Sequence, residues 1–361
     1  MLKEIVGPLS GWYKENKRIL PWREARNPYY IWVSEIMLQQ TRVEAVKPYF
    51  QRFIRELPEP AALAACPEDQ LLKLWEGLGY YNRVRNMQKA AGIVTERYGG
   101  SLPADYNALK ELPGIGSYTA GAIASIAYGI PVPAVDGNVL RVLARLREDG
   151  RDMQKQSVRR SIEEKLSVIM PADNPGEFNQ ALMEIGAIVC TPGGVPRCGE
   201  CPLSAVCRAH SSGKELQYPA KKEKKPRRIE DRTVLLILDG DRIALRKRPA
   251  RGLLAGLYEF PNLPGRREED EVLAWLKDSG LTPLHIRKLD GAKHIFSHVE
   301  WHMSGYAVRV ASQEASYGEE LFLAEIKDVR ARYPLPSAFE TYASYINLRL
   351  GAEKKTQRME V

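Results

Sequence analysis

The chain has 361 residues, 44% hydrophobic and 27% charged, with 53 Lys and Arg against 45 Asp and Glu for a formal charge of +8. That length exceeds what one hydrophobic core organises, so two domains are expected. No stretch approaches the roughly 20 apolar residues of a membrane span, and residues 1–10, with Lys3, Glu4 and Pro8, contain no apolar signal core, so a soluble, intracellular, cytoplasmic protein is expected and a membrane-embedded one excluded. The basic excess suits a polyanionic partner, because neutralised phosphates release counterions, but charge alone singles out none.

From Ser10 to about His210 the apolar residues recur at helical spacing, as in Trp32, Val33, Ile36, Met37, Val43 and Val46, or Leu140, Val142, Leu143 and Leu146, which predicts an almost entirely α-helical region. Within it Glu35 lies in Trp32-Val-Ser-Glu-Ile-Met-Leu-Gln-Gln-Thr-Arg42, where apolar neighbours would desolvate the carboxyl and raise its pKa, as a general acid requires. A lone helical Glu more often belongs to a solvated face. Cys66, ahead of Pro67 in an Ala-rich stretch, reads as a small buried hydrophobe.

Leu112-Pro-Gly-Ile-Gly-Ser-Tyr-Thr119 sets Gly114 and Gly116 two apart between helical stretches, where glycines permit unusual dihedrals and let backbone amides approach a phosphate. An ordinary helix-helix turn would look the same. In Val135-Asp-Gly-Asn138, Asp136 precedes the apolar helix from Val139 and reads as its N-cap. A carboxylate fixed there stays ionised, partly through the helix dipole, and can stabilise positive charge developing on a sugar.

Four of the five cysteines, Cys190, Cys198, Cys201 and Cys207, fall within 18 residues, which in a chain without a secretion signal points to metal ligation, by zinc or iron-sulfur, rather than disulfides. Residues 220–228 then hold six basic residues, one acid and a proline, suiting an exposed linker. Beyond it, residues 233–238 and 243–248 around an Asp-Gly-Asp turn predict a β-hairpin, residues 301–310 a further strand, and residues 268–278 and 337–350 helices, giving a mixed α and β second domain. No solenoid-period repeat is present.

Taken together, Leu20-Pro-Trp-Arg23, Ser34-Glu-Ile-Met-Leu-Gln-Gln-Thr41, Gly77-Leu-Gly-Tyr-Tyr81, the glycine hairpin, Val-Asp-Gly-Asn and the cysteines make nearly the whole chain resemble MutY-type adenine DNA glycosylases, of the helix-hairpin-helix superfamily that includes endonuclease III. The resemblance implies a mostly α helix-hairpin-helix glycosylase domain with an iron-sulfur cluster loop over residues 1–215, a basic linker over 216–230, and a mixed α+β Nudix-like 8-oxoguanine recognition domain over 231–361. It implies a monomer that binds double-stranded DNA containing adenine opposite 8-oxoguanine and excises that adenine.

By position, Glu35 matches the family's catalytic acid, Asp136 the carboxylate stabilising an oxocarbenium-like sugar, and Asn138 a polar support. Tyr118 stands where strand-cutting relatives carry a Schiff-base lysine, so the monofunctional branch is implied. Trp22, Arg23 and Leu38 match positions near the adenine pocket; Gln40, Thr41 and Tyr80 match residues that enter the duplex around the opposing base. Phe296, Ser297 and His298 match the loop that senses 8-oxoguanine, with Ser297 able to hydrogen-bond the altered base. The cysteines match ligands of a 4Fe-4S cluster, although seven residues, Thr191 to Arg197, fill a gap that usually holds six; the extra one should be absorbed in the loop.

The acids at Glu268, Glu269, Asp270 and Glu271 lack the arrangement of a Nudix hydrolase helix, so nucleotide hydrolysis is not expected. Two rivals stand beside this reading, an endonuclease III-like lyase for oxidised pyrimidines and a non-catalytic DNA-damage sensor.

Overall fold

The structure, a computed structural model, describes residues 2–220, 226–311 and 321–347. Up to Ser211 it contains twelve α-helices among the described residues: α1 (Val6–Asn16), α2 (Pro28–Met37), α3 (Val43–Glu56), α4 (Pro60–Ala65), α5 (Glu68–Leu74), α6 (Asn82–Arg97), α7 (Tyr106–Glu111), α8 (Ser117–Tyr128), α9 (Gly137–Arg147), α10 (Gln156–Ser167), α11 (Pro175–Ile188) and α12 (Arg208–Ser211). This is the helical region the apolar spacing predicts. No helix of the described residues is long and apolar enough to cross a membrane.

Contacts divide the chain into two compact units, one of Met1–Cys66 and Asn82–Glu223, the other of Pro67–Tyr81 and Lys224–Val361. Helix α5 and the turn after it therefore group with the C-terminal residues, which nothing in their composition signals.

In the first unit local chemistry sets the helix that matters most. Asn27 caps α2 by accepting from the Tyr29 and Tyr30 amides, and Pro28 occupies the first turn, where its missing N–H costs nothing. From Ile31 to Met37 every residue of α2 is buried, so this part of the helix is enclosed on all sides and carries Ser34 and Glu35 inward with its apolar residues. A separate core of this unit packs α9, α10 and α11 through Leu140, Leu143, Ile162, Phe178, Leu182 and Ile185.

The glycine hairpin joins α7 to α8. Gly114 has φ +79°, and a Cβ there would lie 2.8 Å from the Asn86 Cβ, so both backbone and space require glycine. Gly116 differs from the expectation. Its φ of −89° is open to any residue and a Cβ would meet nothing within 4 Å. As N-cap of α8 it leaves the first amides of that helix uncovered by a side chain, a setting suited to an anion.

Among the described residues the second unit contains a seven-stranded sheet with β1 (Arg228–Asp239), β2 (Arg242–Lys247), β3 (Tyr258–Glu259), β4 (Asn262–Pro264), β5 (Pro283–Ile295), β6 (Val299–Val310) and β7 (Leu321–Glu325). The predicted hairpin is present, with Leu238 opposite Ile243. Strand β1 pairs in parallel with β6 over Arg228–Leu238, which a chain-local reading could not show. Alternate β1 residues serve opposite faces: Val234, Leu236 and Leu238 join a core around Trp301 and Phe339, while Leu235 and Ile237 pack against α13 (Glu269–Asp278).

Two boundaries shift from their predicted places. Arg228–Glu230, assigned to the linker, already form the start of β1, because pairing with β6 outweighs their charge; residues 221–225 of that linker lie outside the described residues. Residues 337–350 do not form one helix: a 3-10 turn at Ser337–Phe339 leads into α15 (Glu340–Ala343), which follows α14 (Ile326–Arg332), and residues 348–350 lie outside the described residues. Two of the acids at the start of α13 are used for capping: Glu268, its N-cap, and Glu271, in its first turn, form a capping box, and Glu271 pairs with Arg267 at 2.8 Å.

The two hairpin glycines should separate on substitution. Gly114→Ala is expected to lower unfolding free energy by about 1–3 kcal/mol through strain at positive φ, and Gly116→Ala to stay within about 0.5 kcal/mol of the native protein, both read from denaturant melts.

Candidate active site

A cavity of about 760 Å³ in the first unit brings together nine of the residues singled out from sequence: Trp22, Arg23, Glu35, Leu38, Gln40, Thr41, Tyr118, Asp136 and Asn138. They come from the Pro21–Arg23 turn, α2 and the loop after it, α8 and the start of α9.

Glu35 is buried, and its Oε2 accepts a short hydrogen bond from the Tyr118 hydroxyl. Burial pushes the Glu35 carboxyl up to about 7; the Tyr118 bond opposes, the nearby Asp136 charge adds, and Arg23 opposes. Burial and the two carboxylates push the Tyr118 hydroxyl well above its usual range, so the phenol is neutral and a donor.

Asp136 caps α9 as expected, its Oδ1 accepting from the Val139 amide at 2.7 Å and its Oδ2 from Asn138 Nδ2 at 2.7 Å. Burial raises its pKa, against these donors and the Arg141 charge. Asn138 Oδ1 in turn accepts from Arg141, whose guanidinium also reaches the carbonyls of Gly186 and Cys190 at 2.8 and 2.9 Å. Glycine is required at position 186, where a Cβ would lie 2.6 Å from the Asn138 Cβ. So α11 presses directly on the residue that supports Asp136.

Sequence reasoning missed Arg18, Arg83, Arg141 and Glu184. Glu184, buried on α11, accepts from Arg18 at 2.7 Å and from Arg23 at 2.8 Å. Burial would raise its pKa, but the two guanidiniums outweigh it and hold the carboxyl at about 2. Arg83 donates to the carbonyls of Ile36 and Gln39 at 2.5 and 2.8 Å, closing the C-terminus of α2. Only a lone charged residue among apolar neighbours, as at Glu184 and Arg141, could have hinted at these pairings.

The remaining predicted residues lie elsewhere. Gly114 and Gly116 are in the hairpin and do not line the cavity. Tyr80 and the Phe296–His298 turn belong to the second unit. There the Tyr80 and Ser297 hydroxyls hydrogen-bond at 2.9 Å. Phe296 packs edge-on against His294 and Trp301, with ring centroids 4.6 and 4.9 Å away, while Ser297 and His298 are exposed at the tip between β5 and β6.

All four clustered cysteines line one small cleft with Arg145, His210 and Glu215. Burial pushes the thiols of Cys201 and Cys198 up to about 12 and 11, with Glu215 acting next on Cys198 and the neighbouring thiols raising both. The ligand atoms there that lie within 4.8 Å of one another are those of Cys198, His210 and Glu215, and thiols with raised pKa values need a cation to be held as thiolates, so the donor types of the cleft suit a metal group. Arg145 donates to Cys190 Sγ at 3.2 Å and to the Thr191 carbonyl at 3.0 Å. The long first gap is a loop with residues 192–195 exposed, closed by the Arg197 amide on the Val189 carbonyl at 3.0 Å. Cys66 is buried at the end of α4, away from this cleft.

Residues 33–167 match the model of the HhH-GPD superfamily of base excision DNA repair proteins, and residues 233–345 match the NUDIX domain. The chain is 35% identical over 369 residues to an adenine DNA glycosylase of Homo sapiens, covering 85% of this chain and 67% of that one. It is 36% identical to an adenine DNA glycosylase of Buchnera aphidicola subsp. Baizongia pistaciae, covering 81% and 82%. Among solved structures it is similar to a thermostable thymine-DNA glycosylase, at 28% identity and a TM-score of 0.53 over 58% of this chain, and to a non-covalent endonuclease III-DNA complex, at 27% and 0.50 over 59%. The chain belongs to the adenine DNA glycosylase family of base excision repair enzymes. It is a DNA-binding N-glycosylase whose helical domain is followed by a Nudix-like one.

The buried Glu35 should leave a signature in stability. Its folded pKa lies above the unfolded value, so the folded state holds the proton more tightly and stability falls as pH rises from about 4.5 to about 7. Glu35→Gln, which has no charge to bury, is expected to match the native protein below that window and to exceed it by on the order of 3 kcal/mol above it, measured by denaturant melts across pH.

Proposed function

We propose that this enzyme removes adenine opposite 8-oxoguanine by monofunctional hydrolysis of the N-glycosidic bond, with Glu35 as general acid and Asp136 as electrostatic stabiliser. The observation that carries the reading is a protonatable, buried Glu35 bonded to a neutral Tyr118 in the same cavity as Asp136.

The flipped adenine enters among Trp22, Arg23 and Leu38. Glu35 gives its proton to a ring nitrogen of the base, the glycosidic electron pair leaves with the adenine, and positive charge develops on the sugar. The Asp136 carboxylate, fixed by Val139 and Asn138, stabilises that charge. Water then adds to the sugar carbon and its proton returns to Glu35, leaving an abasic site. With tyrosine at position 118 no amine is there to form a Schiff base, which favours glycosylase over lyase chemistry.

Gly114 and Gly116 offer hairpin amides to a phosphate, Gln40, Thr41 and Tyr80 fill the duplex around the opposing base, and Phe296, Ser297 and His298 read 8-oxoguanine, Ser297 by a hydrogen bond. Cys190, Cys198, Cys201 and Cys207 hold a 4Fe-4S cluster, which supplies a structural anchor for the loop when bound. The enzyme acts as a monomer.

A labelled duplex with adenine opposite 8-oxoguanine tests the reaction: strand breaks should appear only after alkali, and breaks without alkali would place the enzyme in the lyase branch. Glu35→Gln should retain duplex binding and lose about 100-fold or more in single-turnover rate; retained turnover would remove Glu35 from its role. In the native enzyme the rate should fall as pH rises through about 7, as the Glu35 proton is lost. Iron and acid-labile sulfide should each approach about four per chain; zinc in place of iron would overturn the cluster assignment.

A further inference from the structure

The segment Pro67–Tyr81 is contiguous in sequence with helices of the first unit yet groups with the C-terminal residues, and polar bonds join it to them. Asp69 on α5 accepts from Lys247 Nζ and from the Tyr258 hydroxyl, both at 2.8 Å. Glu76 accepts from the Leu335 amide at 2.8 Å and pairs with Lys73 at 2.5 Å, while Lys73 reaches the Tyr333 carbonyl at 3.3 Å. The partners are themselves stiff: Tyr258 packs edge-on against Tyr333, ring centroids 4.9 Å apart, and its amide bonds the Pro334 carbonyl at 3.1 Å.

From Glu76 the chain makes a tight turn that Trp75 closes by donating to the Gly79 carbonyl at 3.0 Å. Gly77 and Gly79 have φ of +95° and +68°, and Tyr80 follows at +48°. A tyrosine in the left-handed region is strained, and such strain persists only where the surroundings enforce it. The turn leaves Tyr80 50% exposed, with its hydroxyl on Ser297.

We infer that Asp69 and Glu76 are positioning residues for opposite-base selection: they fix α5 to the Nudix-like domain, and the turn after α5 transmits that placement to Tyr80, so that Tyr80 and Ser297 meet the opposing base as one preset pair. This rests on the reading of Ser297 as the group that senses 8-oxoguanine. Asp69 and Glu76 do not line the cavity that holds Glu35 and Asp136, so their removal changes which mispair is preferred rather than the chemistry.

The experiment measures single-turnover excision by the full chain, with 8-oxoguanine or guanine opposite adenine, for the native protein, Asp69→Ala/Glu76→Ala, Asp69→Asn/Glu76→Gln and Ser297→Ala. In the alanine pair the ratio of the two rates should fall about tenfold, the scale of one lost charge-assisted hydrogen bond. The guanine-opposed rate should stay within about twofold of native. The Asn/Gln pair, which keeps an acceptor oxygen at each site, should recover most of the ratio.

An unchanged ratio in the alanine pair overturns the inference, and so does an equal fall in both rates, which is the mark of a merely structural role. If the alanine pair does not fold, Tyr258→Phe, which deletes only the hydroxyl donor to Asp69, should lower the ratio about threefold, and a native ratio there overturns the inference. Ser297→Ala separates the two levels: a native ratio in that variant removes the reading of the loop itself, whereas a lowered ratio there beside a native ratio in the alanine pair removes the positioning role alone.

Discussion

A carboxyl group buried next to a second carboxylate is the constraint around which the first unit is built. Charge on either group is disfavoured by burial, and each disfavours charge on the other, so the two cannot be equivalent. What separates them is their donors. Among the described residues Glu35 accepts from a neutral phenol, whereas Asp136 has a helix-terminal amide, the Asn138 amide and the Arg141 charge beyond it. Both are raised by burial, but the group with the richer donor set is better able to hold a negative charge, and the other to hold a proton. Arg23, which could neutralise Glu35, is bonded instead to Glu184 at 2.8 Å, and that carboxyl stays ionised.

The same bonds tie the cysteine loop to the cavity. Arg141 links Asn138, Gly186 and Cys190, and Arg145, one turn further along α9, reaches the Cys190 sulfur and the Thr191 carbonyl. Two guanidiniums on one buried helix face are costly unless each N–H finds an acceptor. Here the acceptors come from Asn138, the end of α11, the first cysteine and Thr191, and the carbonyls of Glu215 and Tyr218. The loop is thus fixed to the helix whose N-terminus carries Asp136, and the close approach of α11, possible only because residue 186 is glycine, completes that fixation.

Much of this was legible in the sequence because it follows from local rules. The apolar neighbours of Glu35 foretold that its carboxyl would be desolvated, Asp136 preceding an apolar run foretold a cap, and two β-like runs flanking an Asp-Gly-Asp turn foretold the first hairpin of the sheet. What was not legible depends on partners far along the chain. Glu184 pairs with Arg18 across 166 residues, and β1 finds its parallel neighbour β6 about 70 residues on. The bonds that join residues 67–81 to the C-terminal residues come from Asp69, Lys73 and Glu76, whose types are ordinary for a solvated helix. Gly116 shows the opposite failure: the motif suggested a required dihedral, and the backbone there is extended.

Backbone strain marks the residues assigned to the DNA more sharply than composition does. Among the described residues four non-glycines have positive φ: Gln40, Tyr80, Glu148 and Leu254. Glu148 is explained as the left-handed cap of α9. Gln40 and Tyr80 are two of the three side chains matched to positions that enter the duplex. Each such conformation costs on the order of 1–3 kcal/mol, so local bonds have to offset it. For Gln40 these include the Arg83 bonds to the carbonyls of Ile36 and Gln39; for Tyr80, the Trp75 bond across the turn and the hydroxyl of Ser297. On the proposed reading of Gln40 and Tyr80 as residues that enter the duplex, strain already met in the free protein leaves less ordering to be done when a duplex arrives, and more binding energy to hold an adenine out of its stack.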